Sequence, residues 1–480
     1  MYLKTQTFIE NSDLALQNQN LQARLRALTT RFTLVRNNAF AELKDGEALR
    51  DKARAIKERA VANLDRYLLQ LEENVRRRGG AVHWARTGEE ACAIILDLAL
   101  KSGVKRVVKS KSMVTEEIEL NEVLERAGIE SVETDLGEYI IQLAREKPSH
   151  IIAPAIHKSK SEISDLFADK LGAVNLKEAE EMARVARKQL REKFCTADMG
   201  ITGANFAVAE TGTIALVENE GNIRLSTTLP RIHVVLMGIE KVIPSLEDLA
   251  VFLKVLPRSA TGQKMSSYVS FITGARRGGE KDGAQEFHLI ILDNGRSRIL
   301  QDEEKRESLY CLRCGACLNV CPVYSKIGGH AYGWVYSGPI GSIITPPLVG
   351  LDKSKDLPYA SSLCGACREV CPVRINIPHI LVRLRNEWVE GGQDRRKGPP
   401  LIERVAMRLW AFAMRRRRIY NLIFRLPALF QGPMLKDGKF DRLPFALSGW
   451  TENRDFPPLA KKPFRSIWRE MEKQSVMRDA

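Results

Sequence analysis

The sequence predicts an α/β protein. A mostly parallel sheet is followed by a cysteine-rich helical module, with a helical arm before the sheet and a basic tail after the module. Between about residues 81 and 300, short apolar runs typical of strands alternate with helical stretches, which favours a sheet covered on both faces. Seven of the nine cysteines lie in two short runs, at 311–321 and 364–371. The 480 residues allow two or three domains with two flanking segments. We place the boundaries at 1–80, 81–300, 301–392 and 393–480.

The N-terminal arm is predicted to be helical because its apolar residues recur every three or four positions. These residues are Leu21, Leu25, Leu28 and Phe32, followed by Ala60, Leu64, Leu68 and Leu71. Gly79 and Gly80 then end the second run as a C-terminal cap would. We expect the apolar stripes to pack on the following domain, since most amphipathic helices bury such a stripe. The alternative is an arm that binds a partner.

The α/β domain is predicted from its alternating elements. The predicted strands are Ala81–Trp84, Val104–Val108, Ile129–Val132, His150–Ala153, Thr213–Val217, Ile232–Met237, Ser267–Thr273 and Phe287–Leu292. The predicted helices include Glu89–Lys101, Thr115–Ala127 and Lys177–Phe194. Ligands of such sheets bind outside the carboxyl ends of the strands.

One loop of this domain is a candidate anion site. Lys109 and Lys111 leave a predicted strand, together with Ser110 and Ser112, and a helix opens directly after them. Cations and hydroxyls at a helix N-terminus suit an anion. The alternative is an ordinary solvated and capped turn.

A second loop, 200–213, combines glycines with polar side chains. The glycines permit close approach of the backbone, and Glu210, Thr211 and Thr213 stand at a strand edge. These five residues, Lys109, Lys111, Glu210, Thr211 and Thr213, are the candidate substrate-binding residues. The alternative for Glu210 is a hydrogen bond within its own turn.

Other common sites have no support in the sequence. No glycine-rich dinucleotide fingerprint follows a predicted strand, so a nicotinamide or flavin site is not expected. Cys92 lies in an apolar run and is expected in the core. Cys195 follows a long helix with no evident base beside it, so we expect a structural role.

The cysteine runs are typical of iron–sulfur ligands. Cys311, Cys314 and Cys317 are spaced by two residues, and Cys321 follows with Pro322 after it. A zinc ribbon needs two separated pairs, and disulfides suit short secreted chains. Neither describes four cysteines within eleven residues of a long chain, so the spacing indicates two clusters.

The fourth cysteine of such a run ligates the other cluster. This exchange assigns Cys311, Cys314, Cys317 and Cys371 to the first cluster, and Cys321, Cys364 and Cys367 to the second. The position three residues before Cys364 is Ser361, and a serine oxygen is a poor substitute for thiolate. The second cluster is therefore either three-iron, or four-iron with a corner held by Ser361, His330, His379, water or a partner.

Helices are expected to flank the runs, at Asp302–Leu309 and Ile380–Glu390. The segment Gly328–Pro347, rich in glycine, proline and aromatic residues, is predicted to be a loop that shields a cluster. A helical ferredoxin fold is therefore expected. Arg313 and Arg368, within the runs, either raise a cluster potential or are merely exposed.

The basic tail carries most of the net charge of +15. Glycines at 391–392 and Gly398–Pro400 mark a linker, and Ile402–Phe430 is predicted to be one amphipathic, basic helix. No nucleic-acid module is recognisable, so we expect no nucleic-acid partner. The tail suits an acidic partner or the inner membrane face, or packing on its own protein.

The chain shows no apolar run of about 18 residues, so we expect no segment that spans a membrane. It shows no export leader, so we expect the protein to be located in the reducing cytoplasm.

The order of these features resembles a known family. A helical arm, an α/β domain containing the segment Gly203–Thr213, two cysteine runs and a basic tail are similar, over essentially the whole chain, to the lactate-utilisation protein B family of bacteria. The resemblance implies that residues 81–300 form a lactate-utilisation (LUD) domain, with a fold similar to the NagB/RpiA/CoA-transferase group. It implies an α-helical ferredoxin module with two [4Fe–4S] clusters on the seven cysteines. The family's second run likewise has three cysteines.

The resemblance further implies companion proteins A and C, with which the chain oxidises L-lactate to pyruvate as the electron carrier, passing electrons to an acceptor. Two other hypotheses stay open. The α/β domain itself binds or oxidises a 2-hydroxy acid, with the open iron corner as a Lewis acid, or it is a scaffold for assembly.

Overall fold

The computed structural model describes residues 4–391, 398–443, 445–452, 454–462 and 464–476. The chain forms two compact units, Met1–Glu390 and Gly391–Ala480. Of the predicted linker, Gly392 lies outside the described residues.

The first unit contains two β-sheets. Its strands are β1 (Ala81–Ala85), β2 (Arg106–Lys109), β3 (Glu130–Glu133), β4 (Met199–Thr202), β5 (Phe206–Val208), β6 (Thr213–Glu218), β7 (Ile232–Gly238), β8 (Val242–Ile243), β9 (Tyr268–Ile272) and β10 (Glu286–Leu292). Six of them form a sheet of order β1-β10-β7-β4-β2-β3, in which every pair is parallel. The predicted parallel sheet is thus confirmed. Its likeness to the NagB/RpiA/CoA-transferase fold stays a prediction.

The second sheet was not predicted as a separate layer. Its order is β8-β5-β6-β9, and β6 pairs antiparallel with both β5 and β9. The predicted strands at 213–217 and 267–273 belong here rather than to the parallel sheet.

Helices surround both sheets. Those before the first strand are α1 (Phe8–Gln17), α2 (Gln19–Ala41), α3 (Gly46–Ala62) and α4 (Leu64–Arg77). Those of the α/β domain are α5 (Gly88–Lys101), α6 (Met113–Glu117), α7 (Leu120–Arg126), α8 (Leu136–Ala144), α9 (Lys160–Leu171), α10 (Ala179–Cys195), α11 (Asn222–Thr228) and α12 (Leu246–Ala260). Helix α13 (Arg296–Gln301) lies at the end of the α/β domain. The cysteine module, which begins at about residue 301, contains α14 (Ala316–Asn319), α15 (Tyr324–Ile327), α16 (Gly338–Val349), α17 (Ala366–Val370) and α18 (Ile377–Glu390).

Alternate residues of β7 show how the parallel sheet is buried. Val234 and Leu236 pack with Cys92 and Ile95 of α5 in one core cluster. Val235 faces the opposite way, into a larger cluster that also contains α4, the second sheet and the cysteine module. Because successive side chains of a strand point to opposite faces, both faces of the sheet are buried.

The helical arm packs on its own chain. Helix α2 lies against α14 and α15, α3 against α12, and α4 against β1. Leu25 and Leu71 are fully buried in the core shared by the α/β domain and the cysteine module. The arm, the second sheet and the cysteine module therefore share one of the apolar cores of the first unit.

Three local predictions are wrong. His150–Ala153 is a turn rather than a strand, because the Nδ1 atom of His150 accepts hydrogen bonds from the backbone N–H groups of Ile152 and Ala153. The predicted helix over 115–127 breaks at Glu119, whose φ is 55°. Asp302–Leu309 forms a turn and a 3₁₀ helix instead of an α-helix.

The predicted shielding loop at 328–347 is also corrected. It contains most of α16, in which Ile340, Ile343 and Ile344 are buried at helical spacing. Pro339 lies in the first turn of this helix, where a proline is tolerated because no backbone donor is lost.

The second unit is small and mostly helical. It contains α19 (Leu401–Arg415), α20 (Arg417–Phe430), a hairpin of β11 (Leu435–Lys436) and β12 (Lys439–Phe440), and α21 (Phe464–Val476). The single helix predicted over 402–430 is wrong, because Arg416 adopts an extended conformation and divides it. Among the residues described, no helix has the length and apolar character needed to cross a membrane.

Candidate iron–sulfur site and adjoining pocket

The two cysteine runs follow the same backbone path. Arg313 and Gly315 are left-handed, with φ of 61° and 74°, and so are Leu363 and Gly365, with φ of 56° and 86°. Each glycine directly precedes a short helix, α14 or α17. Left-handed backbone is uncommon outside glycine. Its repetition shows that the two runs form the same local turn.

This equivalence places Ser361 where the first run has Cys311. The backbone N–H of Arg313 donates to Sγ of Cys311 at 3.3 Å, and the N–H of Leu363 donates to Oγ of Ser361 at 3.1 Å. The serine oxygen therefore occupies the position of a cluster sulfur.

Four of the predicted ligands surround one cavity. Cys311, Cys314, Cys317 and Cys371 line it together with apolar side chains, among them Ile151, Ile340, Ile375 and Ile377. These are the four cysteines that ligand exchange between the runs assigns to the first cluster. We call them the first set.

The remaining three, Cys321, Cys364 and Cys367, form the second set. Cys367 lies in α17 with Cys364 just before it, and α17 packs against α14, which Cys321 follows, so the three thiols lie on neighbouring elements. Cys364 is exposed, and the neighbouring Leu363 is 37% exposed. The second set therefore reaches the surface.

Three thiols of the first set resist ionisation. Burial and the neighbouring cysteines raise the pKa of Cys314 to about 12 and that of Cys371 to about 11. Burial likewise raises the pKa of Cys317, and Cys367 of the second set adds to the effect. Thiolates crowded in an apolar cavity are stable only beside a metal.

The donor chemistry fits an iron–sulfur cluster. All nine cysteines are free thiols. Backbone N–H groups of Tyr324 and Ile375 donate to Sγ of Cys321 and Cys371, each at 3.4 Å. Such bonds stabilise cluster sulfurs and help set the potential. Among the described residues, no group of three histidine, cysteine or acidic side chains is arranged around a single metal ion.

Arginines of the arm hold the second run in place. Nη2 of Arg36 donates to the carbonyl of Val370 at 2.8 Å, and Nη2 of Arg50 donates to the carbonyl of Cys371 at 2.9 Å. Nη1 of Arg54 donates to the carbonyl of Arg374 at 2.8 Å. The sequence reasoning missed these three residues, since arginines on an amphipathic helix look like surface charges.

A second cavity, of about 240 Å³, adjoins the first set. It lies at the carboxyl ends of β2, β3, β4 and β7, where ligands of parallel sheets bind. Ile151, Leu312 and Arg313 line both this pocket and the cysteine cavity. We call it the strand-end pocket.

Of the candidate substrate-binding residues, only Lys111 lines this pocket. Lys109 is buried and lies 2.6 Å from Glu133 and 3.0 Å from Glu116. Although burial opposes it, these carboxylates raise the pKa of Lys109. Lys109 is therefore fully engaged in a structural ion cluster.

Of the other three candidates, Glu210 and Thr211 lie in the turn between β5 and β6, and Thr213 is the first residue of β6. Glu210 accepts a hydrogen bond from the N–H of Leu246 at 3.2 Å. The hydroxyls of Thr211 and Thr213 are 2.8 Å apart. The structure does not bring these residues to the strand-end pocket.

The two histidines considered as the fourth ligand of the second cluster contact other groups. Nε2 of His330 is 2.7 Å from the carbonyl of Lys147, and Nε2 of His379 is 3.8 Å from Glu304. Ser361 lies in the same turn as Cys364, which favours it over both histidines.

Family models match three consecutive parts of the chain. Residues 68–292 match the LUD domain, 307–375 a 4Fe-4S dicluster domain, and 383–473 the C-terminal region of lactate utilisation protein B. The chain is 45% identical to "Lactate utilization protein B" of Bacillus licheniformis, over 99% of this chain and 98% of the relative. This chain belongs to the lactate utilization protein B family.

Two further relatives carry the same name. The Bacillus subtilis protein of the same name is 44% identical over 98% of both chains, and that of a Geobacillus species is 45% identical over 97% of both. A solved DUF162 family protein from Deinococcus radiodurans covers 48% of this chain and 98% of its own, at 14% identity. Its TM-score of 0.26 is too low to bear on the fold.

In this member of the lactate utilization protein B family, a buried charge network joins the LUD domain to the first cysteine run. Fully buried Arg296 contacts Glu117 at 2.8 Å and Glu240 at 2.7 Å. Glu240 lies 3.7 Å from Arg313. Although burial alone raises it, Arg296 and Arg313 lower the pKa of Glu240 to about 2.

Tyr336 completes this network. Its hydroxyl donates to Glu117 at 2.6 Å, and the guanidinium of Arg313 lies 4.4 Å from its ring centroid. Sequence reasoning missed the network, because buried charges have no distinguishing spacing. Arg368, the counterpart considered with Arg313, is exposed.

Proposed function

We propose that this chain is the iron–sulfur electron carrier of a reaction that oxidises L-lactate to pyruvate. The names of the relatives supply the lactate context. The observation that carries the proposal is the proximity of the two thiol sets, since α14, which contains Cys317, packs against α17, which contains Cys367.

The first set would hold a [4Fe–4S] cluster through Cys311, Cys314, Cys317 and Cys371. The second set would hold another cluster through Cys321, Cys364 and Cys367, with Ser361 as its fourth ligand or with three irons only. Bound there, each cluster would supply a one-electron carrier.

The chain's own residues prepare both positions. Apolar side chains exclude water from the first set, and backbone N–H groups donate to the cysteine sulfurs. The buried positive charge of Arg313 favours added negative charge at the first set. Exposed Cys364 and Leu363 suit electron exchange with a partner at the surface.

Companion proteins A and C would provide the lactate-oxidising reaction and the route to the final electron acceptor. A reducing cytoplasm would preserve the thiols. The basic helices α19 and α20 would dock an acidic partner or the inner membrane face, because both expose apolar and cationic residues together.

The test is anaerobic purification of the full chain, followed by electron paramagnetic resonance (EPR) and addition of L-lactate. We expect two distinct clusters that a chemical reductant reduces and L-lactate alone does not. Adding proteins A and C should then allow lactate to reduce both. A protein without clusters, or clusters reduced by lactate without partners, would overturn the carrier role.

A further inference from the structure

The strand-end pocket is built from neighbouring strands and closed by the first cysteine run. Lys111 follows β2, Asp135 follows β3, Asn205 follows β4, and Lys241 follows β7. Arg313 lies over this edge and faces both the pocket and the first set. A ligand here would therefore lie beside the first cluster.

Three cationic side chains line the pocket: Lys111, Lys241 and Arg313. Lys111 donates to the carbonyl of Ile152 at 3.1 Å and lies 4.0 Å from Glu138. Lys241 and Arg313 are each only 9% exposed. Three cations that line one small cavity can hold the negative group of a ligand.

Several of these polar groups lack a hydrogen-bond partner. Both Nη atoms of Arg313 are buried without an acceptor, although Glu240 lies 3.7 Å from one of them. Oγ of Ser110, in a residue 1% exposed, is also buried without a partner. Buried donors without acceptors are costly, so these atoms indicate a missing ligand.

Three acidic residues line the same pocket and limit the charge of that ligand. They are Asp135, Glu218 and Glu220. Glu218 accepts hydrogen bonds from the N–H groups of Ile223 and Arg224, at 2.7 and 3.1 Å. These carboxylates disfavour a phosphate dianion but accept a hydrogen bond from a hydroxyl group.

We propose that the strand-end pocket binds a small 2-hydroxy monocarboxylate, with its carboxylate on Lys111 and Arg313 and its hydroxyl on one of the acidic residues that line the pocket. The inference rests on the proposed function, which names L-lactate as the compound oxidised. It adds that the LUD domain of this chain holds that compound next to the first set.

Because Arg313 faces both cavities, ligand and first cluster interact electrostatically. A bound carboxylate adds negative charge beside the first set, and reduction of the cluster adds more. Reduction therefore weakens binding, and by thermodynamic linkage binding lowers the midpoint potential. We expect the Kd to rise about tenfold on reduction, which corresponds to about 59 mV for one electron.

The test is anaerobic calorimetry on the full-length, cluster-loaded protein with L-lactate, propionate and inorganic phosphate. L-Lactate should bind, and propionate, which lacks the hydroxyl, should bind about tenfold more weakly. The variant Lys111→Gln should lose at least tenfold in affinity for L-lactate. Lys188→Gln, which removes an exposed lysine of α10, should bind like the unmodified protein.

Phosphate binding more tightly than L-lactate would overturn the ligand class. Equal affinity of Lys111→Gln and the unmodified protein would overturn the site. A redox titration of the unmodified protein, with and without L-lactate, needs no variant, and an unchanged first potential would contradict the placement beside the first set.

The two proposals fail separately. If both clusters are present and chemically reducible but L-lactate does not bind, the pocket assignment is wrong and the carrier role stands. If L-lactate binds but only one cluster or none is found, the carrier role is wrong and the pocket assignment stands.

Discussion

The two cysteine sets share a turn but lie in opposite surroundings. Arg313 and Gly315 have the same left-handed conformation as Leu363 and Gly365. Yet the first set lines an apolar cavity with Arg313 beside it and has no exposed cysteine, whereas the second set reaches the surface at Cys364. The local sequence determines the conformation of the turn. The packing around the turn determines whether each set can exchange electrons with a partner at the surface.

The difference extends to the ligands. The first set has four thiols, while the second has three and a serine oxygen at the fourth position. Buried cations surround the first set: Arg36 and Arg50 act on its thiols, as does Arg313. We infer that the first set is a relay inside the protein and the second an exchange point at its surface.

The largest expected effect comes from substituting the two cysteines that are assigned to the cluster of the other run. Cys371→Ser should abolish or alter the EPR signal of the first cluster, because serine is a poor ligand for iron. Cys321→Ser should do the same to the second cluster and spare the first. The reverse pattern would show that the ligands of the two sets have been wrongly assigned.

The next effect concerns the arm. Arg50→Met removes charged hydrogen bonds to the carbonyls of Glu369 and Cys371 and should destabilise this contact by about 2–3 kcal/mol. The first cluster should then be lost to a chelator roughly tenfold faster or more, measured by its absorbance.

Arg31→Met is the matched control, because Arg31 is an exposed arginine of α2. It should leave the rate of cluster loss unchanged. Equal rates for the two variants would mean that the arm does not support the first set.

A smaller effect is expected at the fourth position of the second set. Ser361→Cys places a thiolate where the first run has Cys311, and should make the second cluster more resistant to oxidative loss of iron. EPR after exposure to air would measure this. Ser362→Cys, one residue away, should give no protection, and protection by both would contradict a specific role of position 361.

The smallest effect is a difference in reactivity after iron removal. The backbone N–H of Ala366 lowers the pKa of Cys364, while burial raises that of Cys314. In iron-free Cys195→Ala protein, an alkylating agent at neutral pH should modify Cys364 first, because the thiolate is the nucleophile. Peptide mass spectrometry would detect this order, and earlier modification of the first set would contradict its burial.

Much of the fold followed from local patterns. Strand–helix alternation predicted the parallel sheet, whose pairs are indeed parallel. The same reasoning failed at His150–Ala153, where a side chain takes over the backbone hydrogen bonds. An apolar run predicts that a segment is buried, but it does not predict which group accepts the hydrogen bonds of the backbone N–H groups.

The site was predictable where chemistry depends on spacing along the chain. The cysteine spacing predicted both sets, and the structure places the four cysteines of the first set around one cavity. The strand-end pocket was not predictable in the same way. Lys111, Lys241 and Arg313 are far apart in sequence, and only the packing of the LUD domain on the cysteine module makes them neighbours.

The contacts between the arm and the second run also affect the order in which the first set is assembled during translation. Arg50 and the carbonyl of Cys371 are separated by 321 residues. At ribosomal rates of about 5–20 residues per second, Arg50 emerges roughly 15–65 s before its partner. Until Cys371 is made, Arg50 of the arm lacks this carbonyl acceptor and the first set lacks its fourth thiol. Iron can complete the first set only after nearly all of the first unit has been translated.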